Sequence, residues 1–388
     1  MLFAVSCSNA LNDKPSNNKP SKTDQKLSLN GNWKFNTFLG DGSNYRDISP
    51  THNDIIIDNS NTELLVINGN WELSTTAERE SRFWGSNYLT RYFKDVDLSK
   101  NVQFHYPKLT TGYYEHFIYY PFKVSLHSKI NIKHLEGTTT RYISQRNRPG
   151  HWISLGIFKL DSAQDPYIEV TGIDKRSVAV DAVMLRPISQ FAFLQAEKNK
   201  KSAHLVTTQD HNWHNLKVPG HWGMINQYST YTGKGWYRKA FKTPSDWQAK
   251  PNEKLRLTFD GVYHIANVYL NGQYLGRHQG GFTPFEFDVT NKVNFKENNI
   301  LAVESDNSAI VGATWNWGGI IRDVTLIKNE DVRIKYQYIH AEPDLESGTA
   351  KLTVRVRVEN SAKIDRKLTF NAHVNKEEIL THLEHNFS

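Results

Sequence analysis

The sequence predicts an all-β protein built of sandwiches, and three observations carry that reading. Runs of five to eight residues rich in Val, Ile, Tyr, Phe, Trp and Thr recur along the chain, the side chains that suit a pleated, half-buried surface. Asn-Gly and Gly-Gly pairs punctuate these runs, as tight turns between strands require. No long helical period appears. The 388 residues, 38% hydrophobic and 12% aromatic, accommodate about two or three domains with real cores.

The N-terminus reads differently from the rest. The only cysteine, Cys7, lies in Leu2-Phe3-Ala4-Val5-Ser6-Cys7-Ser8-Asn9. This segment resembles the end of a bacterial lipoprotein signal with most of its apolar stretch missing, which implies an exported, periplasmic or cell-surface protein. The alternative is an ordinary disordered N-terminus. Residues 8–26 are rich in Asn, Lys, Ser and Pro and lack apolar periodicity, as a flexible tether would. Residues 1–26 are therefore expected to form a truncated leader and tether, with peripheral membrane attachment only if Cys7 is lipidated. A lone exported cysteine forms no internal disulfide, and no later stretch is apolar for long enough to span a bilayer.

The first strand is expected at Leu27-Ser28-Leu29-Asn30-Gly31-Asn32-Trp33-Lys34-Phe35. From Gly235-Trp236-Tyr237-Arg238-Lys239-Ala240-Phe241 onward the chain alternates as half-buried strands do. Leu255-Arg256-Leu257-Thr258-Phe259 runs into Ala266-Asn267-Val268-Tyr269-Leu270-Asn271-Gly272, where Asn-Gly signals a tight hairpin. Next come Arg277-His278-Gln279-Gly280-Gly281-Phe282-Thr283-Pro284-Phe285-Glu286-Phe287-Asp288, Ile300-Leu301-Ala302-Val303-Glu304-Ser305-Asp306, and Trp315-Asn316-Trp317-Gly318-Gly319-Ile320-Ile321-Arg322-Asp323-Val324. In this order the segments resemble the sugar-binding domain of glycoside hydrolase family 2, its β-glucuronidases most of all. The resemblance covers roughly residues 27–48 with 189–329 and implies a galactose-binding-like jelly roll.

In that family the opening strand is followed within a few tens of residues by a V-P-G-x-W segment. Here that segment is Val218-Pro219-Gly220-His221-Trp222, far beyond the ~15 residues at which structureless loops become uncommon. A second β-sandwich is therefore expected as an insert over residues 49–188. Its runs Gly69-Asn70-Trp71-Glu72, Trp84-Gly85-Ser86-Asn87-Tyr88, Gly150-His151-Trp152-Ile153 and Val180-Asp181-Ala182-Val183 resemble the golvesin-like, xanthan-lyase-C-terminal type of sandwich. Most of its aromatics are expected in the core, Trp71 and Trp152 among them; the other role open to them is stacking on sugar rings.

Residues 330–388 begin like the family's immunoglobulin-like domain, with Lys351-Leu352-Thr353-Val354-Arg355-Val356 as an alternating strand. Such a domain needs about seven strands, and only three or four can be counted, so a partial immunoglobulin-like segment is expected. The family's catalytic (β/α)₈ barrel of ~250 residues comes later still. The hydrolytic carboxylate pair, which the family takes from that barrel, is expected to be missing. Asp260, Glu286 and Asp288 stand in strand and turn motifs where carboxylates fix backbone N–H groups.

The loops of the resembling segments are rich in His, Tyr, Trp, Asn and Arg, which suits β-elimination at a uronic acid better than hydrolysis. A base removes the C5 proton, an acid assists departure of the C4 oxygen, and a cation or amide holds the carboxylate. The catalytic candidates are His221 or His264 as base and Tyr263 or Tyr231 as acid. Arg322 with Asn316 would clamp the carboxylate, and Trp315, Trp317, Trp222 and His278 would contact the sugar. For Tyr263, His264, His278 and Arg322 a structural role is the standing alternative, because complete relatives carry similar segments.

The run His204, His211, His214 and His221 with Asp210 matches no compact zinc signature. No cofactor is expected, although oxygen-ligated calcium sites leave little trace in sequence. The net charge of +7 favours an anionic partner, or serves solubility alone. No motif of the common nucleic-acid modules is present, so an acidic oligosaccharide is the expected partner and nucleic acid is not. The function expected first is a dehydratase-type lyase acting on the non-reducing-end uronic acid of oligosaccharides from an anionic polysaccharide; the alternatives are a non-catalytic carbohydrate-binding protein or the sugar-binding part of a split β-glucuronidase.

Overall fold

The computed structural model describes residues 3–9, 24–76, 82–123, 128–146, 148–247, 250–308, 316–361, 368–374 and 377–378. The described secondary structure is all-β apart from one α-helix, Gln190–Ser202, and short 3₁₀ turns. None of the described helices is long and apolar enough to cross a membrane.

One core forms between a seven-stranded and a four-stranded antiparallel sheet. The larger runs His214–Val218, Gly31–Asn36, Tyr231–Phe241, Asn299–Asp306, Ile265–Leu270, Gln273–Gln279, with Gly42–Asn44 beside the start of Tyr231–Phe241. The smaller runs Gln25–Ser28, Val324–Glu330, Glu253–Phe259, Phe285–Asp288. Alternate residues of both sheets meet inside: Trp33, Phe35, Val268, Leu301 and Val303 from one, Leu255, Leu257, Phe259, Val324 and Leu326 from the other. Each such side chain contributes roughly 1.5–3 kcal/mol on burial. This is the jelly-roll sandwich that the alternation and motifs predicted.

Two local outcomes test the element-by-element reading. Asn271 and Gly272 take φ of 52° and 79°, the left-handed pair of a type I′ turn, so the Asn-Gly hairpin forms as expected. The expected single strand over residues 27–35 is instead two. Gln25–Ser28 pairs with Val324–Glu330, and Gly31–Asn36 pairs across the other sheet with His214–Val218 and Tyr231–Phe241. The chain changes sheets at Leu29-Asn30, where Leu29 N bonds Val324 O and Asn30 Oδ1 accepts from Val324 N.

The second sandwich lies between residues 55 and 188. A four-stranded sheet, Ile153–Leu160, Gly112–Tyr119, Ala182–Ile188, Ile55–Asp58, faces a five-stranded one, Gly137–Ile143, Ser128–His134, Tyr167–Gly172, Asn101–His105, Leu65–Ile67. Ile57, Ile118 and Val183 from the first pack with Val102, Phe104, Ile130, Ile132, Ile168 and Val170 from the second. Trp152 is buried, and Trp71 packs part-buried against this core, as expected of both.

The helix was not expected. Ser189 caps it by accepting from Ala192 N at 3.2 Å, but only Ala196 is fully buried along its length. It is held by two contacts: Phe193 stacks on Tyr113 with centroids 4.0 Å apart, and Lys200 pairs with Asp41 at 3.2 Å. A helix with so thin an apolar face leaves little 3.6-residue signal in sequence.

Beyond the jelly roll, Val332–Asp344 and Thr349–Asn360 form a long hairpin. It is tied back through Arg333, which bridges Glu286 and Glu359. Leu368–Val374 pairs with Glu377–Glu378 and with Phe3–Asn9. The segment expected as leader contains the strand Phe3–Asn9, with Cys7 in register with Phe370; residues 10–23, most of the expected tether, lie outside the described residues.

Candidate functional site

The candidate residues gather at one end of the jelly roll. Gly220 N donates to Ile320 O and Trp222 N to Gly318 O, which places His221 against residues 318–320. Val262 and Tyr263 pair with Ile320 and Gly319 on the other side. Asp306 O accepts from His264 N, and Gly280 N donates to His264 O, adding the 279–284 turn and the end of the central strand. Segments from five parts of the sequence therefore share one rim.

His221 and Trp317 stand side by side on that rim. Their rings lie 5.8 Å apart at 20°, and Trp317 is 50% exposed. His221 is half-buried, and burial holds its imidazole below the ordinary histidine range. Among the described residues no hydrogen bond joins the His221 ring to Tyr263, His264 or Arg322. Trp315 lies outside the described residues.

Two expected site residues belong to the core instead. Trp222 is 1% exposed, stacks on Phe35 at 5.6 Å and donates its Nε1–H to Tyr231 O at 3.2 Å. It cannot present a face to a sugar. Tyr231 is buried, donates its hydroxyl to Lys234 O at 2.8 Å, and burial pushes its phenol well above the usual range. A hydroxyl so placed is removed from the list of acids.

The remaining candidates are largely engaged in holding the rim together. Tyr263 is 5% exposed and packs beside Phe282 and His264, its phenol raised by burial. His264 has its pKa lowered, first by burial and then by Arg277 and His278, against Asp306. His278 Nε2 lies 3.2 Å from Gly280 O and 3.0 Å from Thr283 Oγ1, with its ring stacked on Phe285 at 4.2 Å. It fixes the 280–283 turn, so direct sugar contact is not what its geometry serves.

Asn316 and Arg322 do not form the expected clamp. Asn316 Nδ2 donates to Asn307 O at 2.9 Å, while Asn307 Nδ2 donates to Asn316 O at 3.0 Å, closing the base of the loop between them. Arg322 donates Nη1 to Phe282 O at 3.2 Å and lies 5.9 Å over the Phe282 ring. It also lines a shallow cavity of about 440 Å³ with Pro219, Asp260, Pro284, Ile321 and Asp323.

Among the three carboxylates expected to fix backbone groups, Asp288 does so, accepting from Thr290 N at 2.9 Å. Glu286 pairs with Arg333 instead. Phe282, 56% exposed, is an aromatic face that sequence reasoning passed over. Its signal was its position in a Gly-Gly turn, where a large ring has no core to enter.

The histidine run is dispersed. His204 packs on Tyr269 with its ring tilted by 31°, His214 Nε2 lies 3.0 Å from Gln227 Nε2, and Asp210 pairs with buried Arg238 at 2.8 Å. Among the described residues no group of three His, Cys, Asp or Glu side chains could hold a metal.

Comparison with known proteins adds two domain matches. Residues 207–330 match the sugar-binding domain of the glycosyl hydrolases of family 2, and residues 55–187 match the golvesin C-terminal domain. A β-glucuronidase of Formosa agariphila is 29% identical over 208 residues, 45% of this chain and 21% of that protein. A β-glucuronidase of Bacteroides fragilis is 36% identical over 108 residues, 26% of this chain and 15% of that protein. A solved β-glycosidase from Bacteroides vulgatus superposes with a TM-score of 0.37 and 25% identity, over 45% of this chain and 26% of that one. The chain therefore carries a family 2 sugar-binding domain and a golvesin-type sandwich, and spans about a fifth of the length of the first of these relatives.

Proposed function

We propose that this chain recognises acidic oligosaccharides through the rim of its jelly roll. The observation that carries the reading is the exposure of Trp317 and Phe282 on a rim whose polar side chains are mostly bonded to backbone. Flat aromatic faces in such a setting suit the C–H faces of a pyranose. Arg322 over Phe282 and the net charge of +7 supply the preference for an acidic sugar. The relatives named as β-glucuronidases point to uronic acid as the acidic residue.

A second reading, a dehydratase-type lyase, draws on His221. A neutral imidazole whose pKa is lowered by burial is in the right protonation state to accept a proton at pH 7. With Tyr231 removed, Tyr263 would have to be the acid. A third reading, the sugar-binding part of a split β-glucuronidase, rests on the relatives' names and on the family 2 domain.

The test incubates the purified chain with oligosaccharides ending in glucuronic or iduronic acid, beside neutral counterparts. Calorimetric binding of the acidic set without mass change is the expected result. An unsaturated uronate chromophore with loss of one water would replace recognition by elimination. No binding to either set would sink the proposal.

A further inference from the structure

In the inserted sandwich the strand Ile55–Asp58 ends beside the start of Ala182–Ile188, with Asp58 in register with Ala182. The pairing continues one step further, Asn59 N donating to Asp181 O at 2.9 Å. Three side-chain oxygens at this corner are buried with no hydrogen-bond partner: Asp58 Oδ2, Asn59 Oδ1 and Asp181 Oδ1. Asn59 is 4% exposed and Asp181 0%.

All three groups face the same short loop, residues 84–87. Trp84 N donates to Asp181 Oδ2 at 2.8 Å. Asp58 Oδ2 lies 3.0 Å from where a Cβ on Gly85 would stand, and Gly85 has a φ of +63°, so a side chain there would be both strained and tight against the carboxylate. Asn59 Nδ2 donates to Asn87 Oδ1 at 2.6 Å. Asp58 is further pinned by Oδ1, which accepts from Ser60 N at 3.0 Å. Each side chain is thus oriented by one atom while a second, an oxygen, is left over in the corner.

Buried acceptors without a partner are rare and cost free energy, and unpaired carboxylates cost most. Two carboxylates held in one corner also repel. Among the described residues neither Asp58 nor Asp181 has an ion-pair partner, whereas Asp54, before the other end of the same strand, is paired with Arg186. Oxygen donors alone, two carboxylates and an amide, suit a hard divalent cation. An irregular corner that combines side chains with loop backbone fits the flexible coordination of calcium better than the strict octahedron of magnesium.

We propose that Asp58, Asn59 and Asp181 bind a calcium ion that joins the end of Ile55–Asp58 to the 84–87 loop. The ion would fix Trp84, whose ring lies 5.8 Å from Tyr119 and 5.1 Å from Trp152, and so order the aromatic cluster at this end of the sandwich. The site is separate from the jelly-roll rim and does not depend on how that rim reads sugars.

The experiment strips the full chain with a chelator and titrates calcium, magnesium and terbium separately. Thermal melting should rise by about 2–4 °C at calcium well above an affinity of ~0.1–1 mM. Terbium emission sensitised by tryptophan excitation should appear and be displaced by calcium. Asp58→Asn and Asp181→Asn should each weaken terbium binding at least tenfold, yet melt no lower than the wild type without calcium, because each replaces an acid that lacks a full set of partners by an amide of the same shape. A purely structural role would instead lower melting at every calcium concentration. The proposal is overturned by a wild type with neither the melting shift nor terbium emission, or by a response that persists in both variants. An equal response to magnesium would overturn the choice of calcium. Should the variants fail to fold, the wild-type titrations alone decide.

Discussion

The jelly-roll rim and the corner of the inserted sandwich contain similar residue types and leave opposite things unsatisfied. At the rim most polar side chains have a partner: Tyr231 bonds Lys234 O, Asn316 Nδ2 bonds Asn307 O, and Arg322 bonds Phe282 O, while Asn316 Oδ1 is left buried without one. What remains there is apolar surface, Trp317, Phe282 and Met224. At the corner the aromatics Tyr119 and Trp152 are buried, and oxygens remain. Burial, with the charge of Asp58, lifts the Asp181 carboxyl to about 8. Side chains that suggest chemistry in sequence can be consumed in holding loops, while unpartnered groups arise where strand pairing brings distant residues together.

The largest effect separates two tryptophans that look alike in sequence. Trp222 fills the core so closely that a Cβ on Gly318 would stand 1.8 Å from its ring. Trp222→Ala should cost about 3–5 kcal/mol in urea unfolding. Trp317→Ala should change stability by no more than about 0.5 kcal/mol while weakening oligosaccharide binding roughly tenfold, about 1.4 kcal/mol. A stable Trp222→Ala protein, or a Trp317→Ala protein with unchanged affinity, would break the division between core and platform.

A second contrast is in acid response. His116, buried in the inserted sandwich, has Nδ1 2.9 Å from Tyr114 O and an Nε2 without a partner, and burial holds its pKa at about 3. The unfolded chain takes up this proton near pH 6.5. Stability from neutral His116 is therefore complete above that pH and lost as pH falls towards 3, on the order of a few kcal/mol. Asp41, beside the jelly roll, has the opposite sign. Burial raises it to about 6 against the partial relief of Lys200, so its contribution is present below pH ~4 and lost as pH rises through 6. Protection of the Gly112–Tyr119 amides, after correction for the intrinsic pH dependence of hydrogen exchange, should fall at pH 5, and His116→Leu should remove that fall. Asp41→Asn should leave it in place. The same pH response in wild type and His116→Leu would refute the assignment.

How much was legible follows the same divide. Alternation of period two and the Asn271-Gly272 turn are local, and they sufficed for strands, hairpin and sandwich class. Sheet partnership is not local, so nothing in residues 27–35 told that the chain changes sheets at Leu29-Asn30. The helix Gln190–Ser202 was hidden because one buried alanine gives no stripe. For the rim, residue type and motif position brought His221, Tyr263, His264, His278, Asn316, Trp317 and Arg322 to one end of the fold. Burial, which depends on the whole core, withdrew Trp222 and Tyr231. The calcium corner had no signal, since Asp58 and Asp181 are far apart in sequence and only the strand register unites them.

The smallest expected effect concerns how the rim reads charge. The cavity beside Arg322 also carries Asp260 and Asp323, so two carboxylates oppose one guanidinium and the cavity itself does not favour an anion. The favourable side of Arg322 is the one facing Phe282, where a sugar stacked on the ring would bring its carboxylate near the guanidinium. At an exposed position such a contact contributes about 1 kcal/mol or less and is screened by salt. Arg322→Gln should therefore weaken binding of uronate-ended oligosaccharides by about fivefold at low salt, near 1 kcal/mol, less at high salt, and leave neutral ones unchanged. An equal loss for acidic and neutral sugars would mean that Arg322 acts through its bond to Phe282 O. The rim would then owe its affinity to aromatic faces alone, and the preference for acidic sugars would have to come from the protein's overall positive charge.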